Sequence, residues 1–282
     1  MVGTRGLPAR YGGFETCIEE VGQRLAARGH HVVVYCRGAR DANSRDEYLG
    51  MSLVHLPAVR VRTLETFSHT GLSVMHLQGH PVDAAIVFNA ANSPWLPLLR
   101  AARIPVATHV DGLEWQRAKW GPAGKKYYRW AESMSVRFSD ALIADAVGIQ
   151  DYYRENFDAP ARLISYGAPL LELGRCDRLG ELKLETRRYH LAVARFEPEN
   201  NLEKIIRGYV LSGAEHPLIV VGSAPYAAEH LRLLHSLGDH RVRFLGSLWD
   251  QELLNQLYAN ALMYWHGHSV GGTNPSLLRA MG

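Results

Sequence analysis

Short apolar runs alternate with amphipathic stretches along this 282-residue chain. "HHVVVYC" (30–36), "DAAIVF" (83–88), "IPVATHV" (104–110), "DALIAD" (140–145) and "ARLISY" (161–166) are apolar on both faces, as the strands of a parallel sheet covered on both sides must be. Helical spacing predicts Phe14 to Arg28, Pro94 to Arg103, Gly124 to Phe138 and Val147 to Asn156 between them. Strand and helix in strict alternation predict a doubly wound α/β domain.

The pattern pauses over residues 167–187, where the chain is polar and weakly periodic, and then restarts. "YHLAVAR", "HPLIVVG", "RVRFLG" and "ALMYWHG" predict four more strands, with helices over Asn201 to Ser212, Tyr226 to Leu237 and Trp249 to Asn260. The expected organisation is a domain over 1–167, a linker over 168–187 and a second α/β domain over 188–282, with the ligand site in the cleft between the carboxyl ends of two sheets. Both ends look short for it. Only Met1 and Val2 stand where a first strand should precede "GTRG", and the chain stops inside a helix, so a fragment or shortened product is expected.

Composition narrows the partners. With 47% hydrophobic residues the chain can bury a large core, and a net charge of +3 from 31 basic and 28 acidic side chains gives no field that calls for nucleic acid. Fourteen histidines make the surface more basic in mild acid, which leaves room for weak attraction to anionic lipid and peripheral membrane association. No apolar run approaches the roughly 20 residues of a membrane-spanning helix, and "MVGTRG" lacks a signal peptide's apolar core, so the expected location is the cytosol. Cys17, Cys36 and Cys176 are an odd number at wide spacing, which argues against a disulfide framework or a zinc cluster.

Four motifs carry candidate chemistry. "GTRGLPARYGGFET" sets glycines 3, 6, 12 and 13 before a helix, where backbone amides and the helix dipole favour an anion; an ordinary glycine turn is the plain alternative. "THVDGLEWQRAKW" puts Asp111 and Glu114 at a strand's carboxyl end, suited to acid and base work or to orienting sugar hydroxyls, unless Asp111 only caps a helix and Trp115 and Trp120 only pack. "VARFEPENN" places Arg195 at a strand end before a helix, with Asn200 or Asn201 as its cap; the guanidinium suits a pyrophosphate, or pairs with Glu197 at the surface. "SVGGTNPSLL" presents the amides of Gly271, Gly272, Thr273 and Asn274 ahead of a helix that starts at Pro275, either an anion cradle or a plain strand-to-helix turn.

Together, in this order and over nearly the whole chain, these motifs resemble the retaining glycosyltransferases of family 4, and within them a bacterial rhamnosyltransferase-like subgroup. The resemblance implies the GT-B fold of two Rossmann-like domains facing across a cleft, incomplete here at the C-terminus. It also implies transfer of a sugar, rhamnose in that subgroup, from a nucleoside-diphosphate sugar to a saccharide or lipid-linked saccharide acceptor, with retention, in cell-surface polysaccharide synthesis. No cofactor or metal is implied. Arg5, Gly12 and Gly13 would lie by the acceptor and donor phosphates, Arg195 would hold the pyrophosphate, and Asn200 takes the place of a lysine common in relatives. Asp111 stands near the family's active-site histidine, with His109 the neighbouring candidate and Glu114 beside it. Of two glutamates that many members carry in the last motif, the first falls on Gly271 and the second, which binds ribose, on Arg279, a donor-only side chain. The expected cytosolic location extends to the inner face of the cell membrane. Two rival readings follow: a sugar-nucleotide epimerase of the same fold, and an inactive nucleotide-sugar-binding or scaffold subunit of a polysaccharide assembly complex.

Overall fold

The computed structural model describes every residue except 10–11, 39–44, 60, 62–63, 118–119, 169, 172–174 and 224–227. The chain divides into two compact units, Met1–Tyr166 and Gly167–Gly282.

In the first unit, β1 (Val33–Arg37) pairs in parallel with β3 (Met51–Leu56), and a short antiparallel β2 (Glu47–Tyr48) lies outside β3. A second parallel set runs β4 (Ala85–Phe88), β5 (Val106–His109), β6 (Ala141–Ala144) and β7 (Ala161–Leu163). Met1 and Val2 join the two sets. Val2 bridges Val87 in parallel, its N–H donates to the Ile86 carbonyl at 3.0 Å, and the Tyr35 N–H donates to the Met1 carbonyl at 3.1 Å. Two residues therefore occupy the slot of the expected first strand. With them in place, and the hairpin strand β2 set aside, the strands run third, second, first, fourth, fifth, sixth, seventh across the sheet, the doubly wound order with one strand more.

The sheet buries both faces. Val34, Leu53 and Phe88 pack with Ile18 of α1 (Gly13–Ala27), while Tyr35, Val87 and Val106 pack on the other face with Val74 and Leu77 of α2 (Glu65–Gly79) and Leu99 of α3 (Leu96–Ala101). Alternate residues of β1 thus feed opposite layers, as the strand period of two requires. Next in the chain come α4 (Pro122–Phe138), which opens on a proline where a missing N–H costs nothing, and α5 (Val147–Phe157), closed by Asp158 in the left-handed conformation.

The second unit is a parallel sheet of β8 (His190–Val193), β9 (Leu218–Val221), β10 (Val242–Gly246) and β11 (Met263–Tyr264) in the order β10-β9-β8-β11. Its helices are α6 (Leu202–Leu211), α7 (Ala228–Leu237), α8 (Gln251–Asn260) and α9 (Pro275–Met281). β9 is buried throughout, flanked by separate apolar clusters on its two faces.

Three features differ from the sequence expectation. Part of the stretch expected as a linker, 168–187, is built into the second unit. Leu179 and Leu184 are buried in its core, and the Arg178 N–H donates to Gln256 Oε1 at 3.0 Å. Their apolar side chains are too widely spaced to show a period, yet each has a core position to fill. The β2–β3 hairpin and α2 were not anticipated. α2 buries His69, Thr70 and Ser73 among its apolar residues, and the hydroxyls of Thr70 and Ser73 bond back to carbonyls four residues earlier, which blurs the hydrophobic stripe. The expected start of the helix at Tyr226 lies outside the described residues.

Candidate functional site

Ligands of open parallel sheets bind outside the strands' carboxyl ends, where the strand order reverses. In the second unit that point lies between β8 and β11, so the loops leaving these two strands, 194–201 and 265–274, should build the site. They line a small pocket with Val193, Ala194, Asn200, Trp265, His268 and Asn274 in its wall.

The two loops are laced together. Asn200 is buried; its Nδ2 donates to the Arg195 carbonyl at 2.6 Å and its Oδ1 lies 2.9 Å from His268 Nδ1. An amide oxygen only accepts, so His268 Nδ1 carries the hydrogen. Asn201, with φ of 49°, donates to the Gly267 carbonyl at 2.8 Å, and the Ser269 N–H donates to the Glu199 carbonyl at 3.0 Å. A Cβ on Gly267 would run into the Asn200 carbonyl, so glycine is what lets the loops approach this closely. Asn200, in place of the lysine, is therefore a strut between the loops.

Arg195 is exposed at the end of β8, and among the described residues no carboxylate pairs with it; Glu197 meets it only through a backbone bond of 2.8 Å to its carbonyl. Glu199, absent from the sequence-based candidates, is 8% exposed, and its Oε1 has no hydrogen-bond partner among the described residues. A buried acceptor without a donor is costly unless a ligand supplies one. Its neighbours in "EPEN" are polar and loop-like, and nothing in that local pattern predicts burial.

The last motif opens α9. Asn274 is its cap, with Oδ1 accepting from the N–H groups of Ser276 at 2.9 Å and Leu277 at 3.3 Å, and Pro275 is the first helical residue. Gly271 sits at φ of 143°, a conformation open to glycine and strained for a glutamate, which accounts for glycine at that position. Gly272 and Thr273 complete the turn. Arg279, expected beside the donor ribose, is held elsewhere. Its Nε donates to Asn255 Oδ1 at 3.0 Å, an Nη donates to Gln251 Oε1 at 2.9 Å, and its guanidinium lies 5.8 Å from the Tyr258 ring, all on α8. The polar residues of α8 and an aromatic face offer a long cation a full set of contacts, and Arg279 does not line the pocket.

In the first unit the reversal lies between residues 1–2 and β4, and the carboxyl ends of β4, β5 and β6 carry Asn89, Asp111 and Asp145. Asn89 and Asp111 have φ of 71° and 47°, and Asn89 Nδ2 donates to Asp111 Oδ2 at 3.2 Å. Two positive-φ residues bonded to each other at a sheet's ligand edge make this a candidate position. Burial, reinforced by the Glu114 charge and opposed by Arg117, pushes the Asp111 carboxyl up to about 7. Glu114 itself is engaged: Oε1 is 2.6 Å from Arg117 Nε, and Oε2 accepts from Trp120 Nε1 at 3.2 Å. Trp115 faces the Arg129 guanidinium at 5.1 Å, and Trp120 packs on Tyr128 at 5.0 Å. So the tryptophans pack and Glu114 is a strut, while Asp111 caps no helix.

His109 is sandwiched between Phe88 at 5.4 Å and Tyr166 at 5.6 Å, and burial pulls its imidazole down to about 4, so it is neutral at physiological pH. The glycine loop is closed by its own helix: the N–H of Arg5 donates to Glu15 Oε1 at 3.0 Å and that of Ala9 to Glu19 Oε2 at 2.8 Å. Gly12 is the N-cap of α1 and Gly13 its first residue. The Arg5 guanidinium lies 3.9 Å from Glu65. Carboxylates from α1 thus hold amides that an incoming anion would use.

Residues 12–167 match the family described as glycosyl transferase 4-like domain. Among curated proteins no significant match is found. Among solved structures, sucrose-phosphate synthase from Thermosynechococcus elongatus superposes with a TM-score of 0.76 at 20% identity, covering 96% of this chain and 73% of that one. The Anabaena protein HepE in complex with UDP and glucose gives 0.70 at 16% identity, covering 93% and 72%. UDP-N-acetylglucosamine 2-epimerase from Rickettsia bellii gives 0.55 at 15%, covering 90% and 71%. These likenesses establish a shared fold, that of the GT-B glycosyltransferases.

Proposed function

Because the chain belongs to the glycosyl transferase 4-like family, we propose that it moves a sugar, rhamnose by the resemblance of its motifs, from a nucleoside diphosphate to a hydroxyl of a lipid-linked saccharide, with retention, in cell-surface polysaccharide synthesis. The observation that carries the reading is the pair of loops at the reversal point of the second unit, where Asn200 and His268 fix the pocket wall and Arg195 stands exposed beside it. A nucleoside diphosphate needs a cation and several N–H donors in fixed positions. Arg195 supplies the charge, and the Gly271 to Asn274 turn supplies the amides. HepE, of the same fold, has been solved with UDP-glucose.

In this reading the second unit holds the donor and stabilises the leaving diphosphate without a metal. Asp111 acts on the reacting sugar. Below its raised pKa the carboxyl donates a hydrogen bond or a proton, and above it the carboxylate steadies positive charge at the anomeric carbon. Asn89 fixes its direction. Peripheral membrane association is supported by α4, which exposes Lys125, Lys126, Arg129, Arg137 and the half-exposed Trp130, while its one acidic residue, Glu132, is buried. No helix among the described residues is long and apolar enough to cross a membrane.

Incubating the chain with nucleoside-diphosphate sugars and a lipid-linked acceptor, and reading the product's anomeric configuration by NMR, tests the proposal. A glycosylated acceptor with the donor's configuration supports it. A rearranged or released sugar without transfer supports the epimerase reading, which the likeness to the 2-epimerase keeps in view. Binding of the donor without turnover supports a scaffold subunit.

A further inference from the structure

The segment that leaves β11 carries Tyr264, His266 and His268 at every second position. Their rings follow one another at 6.2 Å and 6.0 Å, so the three side chains share one face of the segment. Both ends of the row are fastened. The Tyr264 hydroxyl donates to the Val193 carbonyl at 3.2 Å, and His268 Nδ1 donates to Asn200 Oδ1 at 2.9 Å. His266 stands between them, exposed at the rim of the pocket that it lines with His268, Asn200 and Asn274. Among the described residues neither of its ring nitrogens makes a hydrogen bond.

We infer that His266 is a second cationic contact for the donor's diphosphate, complementing Arg195 of the neighbouring loop, and that it takes a proton from solvent as the nucleotide binds. The inference rests on the donor site of the proposed function. A diphosphate brings more than one negative charge, and a single guanidinium offsets only part of it. The side chains in the pocket wall are apolar or neutral apart from the two imidazoles. Asn200 is spent on the Arg195 carbonyl and on His268, and His268 has its Nδ1–H committed to Asn200. His266 can turn either nitrogen to a ligand. The pocket wall withholds enough water from it to pull its imidazole below the ordinary histidine range, so it is neutral before the nucleotide arrives. A phosphate oxygen beside it favours the charged form, which then donates a charge-assisted bond. Around His266 stand His268 and Tyr264 of its own segment, Tyr258 of α8 behind Tyr264 at 5.5 Å, and Arg195, Glu197 and Glu199 of the neighbouring loop. Among the described residues no carboxylate pairs with His266, so the anion that charges it comes with the ligand.

Calorimetric titration of the full chain at neutral pH, with UDP or dTDP, whichever binds tighter, tests this in two buffers of different ionisation enthalpy. The wild type is compared with His266→Gln, His268→Gln and Arg195→Ala. Glutamine keeps a hydrogen-bond donor and cannot be charged, and at an exposed position it leaves folding alone, which an unchanged melting temperature verifies. The nucleotide's own ionisation is common to all four titrations. Net proton uptake is expected in the wild type and in His268→Gln and lost in His266→Gln, whose affinity falls roughly tenfold, the worth of one charge-assisted bond. Uptake that persists in His266→Gln and disappears in His268→Gln overturns the assignment, as does equal affinity and equal uptake in wild type and His266→Gln. If Arg195→Ala weakens binding while His266→Gln does not, only the role of His266 falls. If the wild type binds neither nucleotide, the donor site falls with it.

Discussion

Asn89 Nδ2 donates to Asp111 Oδ2 at 3.2 Å, joining the carboxyl ends of two neighbouring parallel strands through side chains whose backbones both have positive φ. The bond aims a carboxyl that burial has made less acidic. If Asp111 takes part in transfer, Asp111→Asn should lower the rate by roughly 10²-fold or more, the usual yield of a positioned acid or base. Nucleoside-diphosphate affinity, which the proposed function assigns to the second unit, should stay as in the wild type. Steady-state transfer and calorimetry on the same preparation check both halves.

Stability should depend on pH through the same residue. Its pKa is about 7 in the folded chain and near the ordinary ~3.9 when unfolded, so between these values the folded state binds the extra proton. Stability from this group is fully present below about 4, falls as pH rises, and is level above about 7. Asp111→Asn removes the dependence. Urea unfolding at acid and alkaline ends of that window should show the variant gaining on the wild type as pH rises; the opposite trend refutes the assignment.

Arg279 gives a separate test. Its hydrogen bonds run to Asn255 and Gln251 of α8, so Arg279→Glu should cost about 1 kcal/mol of stability for bonds at a half-exposed site. Donor affinity should not change. A several-fold gain in nucleotide binding by the variant would instead place residue 279 at the ribose.

If, as proposed, Arg195 and backbone amides meet the diphosphate's charge, transfer activity should survive a chelator in excess. Loss of activity in chelator, restored by Mg2+ or Mn2+, would contradict this.

Much of the fold was legible because several of its strands are short, strongly apolar runs: "HPLIVVG" reads as a strand, and β9, buried throughout, is that strand. α2 was not legible, since its buried face includes His69, Thr70 and Ser73, whose polar atoms count against a core helix until the hydroxyl bonds to preceding carbonyls are seen. The first strand was expected from its place before "GTRG" alone, since its two residues form too short a run to carry a pattern. At the sites, Asp111 was found by its place at a strand end, but Asn89 was not. Asn89 lies between the strand "DAAIVF" and the helix expected from Pro94, a stretch with no motif of its own, and its meaning depends on the parallel register that sets Phe88 beside His109. Glu114 and Arg279 were singled out by residue type and position. Local partners, Arg117 and Trp120 for one and α8 for the other, engage both side chains. Arg117 and Trp120 lie three and six residues beyond Glu114, but residue type alone does not show that they bond to it, and the α8 partners of Arg279 come from tertiary packing, which linear spacing does not encode.

The central claim is that the second unit binds a nucleoside diphosphate through Arg195. Calorimetric titration of wild type and Arg195→Ala with the same nucleoside diphosphate measures it most directly. Arg195 is exposed and, among the described residues, pairs with no carboxylate, so the substitution should leave the fold intact. The account predicts a loss of about 1.5–3 kcal/mol of binding free energy, the worth of a charge-assisted hydrogen bond. Equal affinities, or no binding by the wild type, would contradict it.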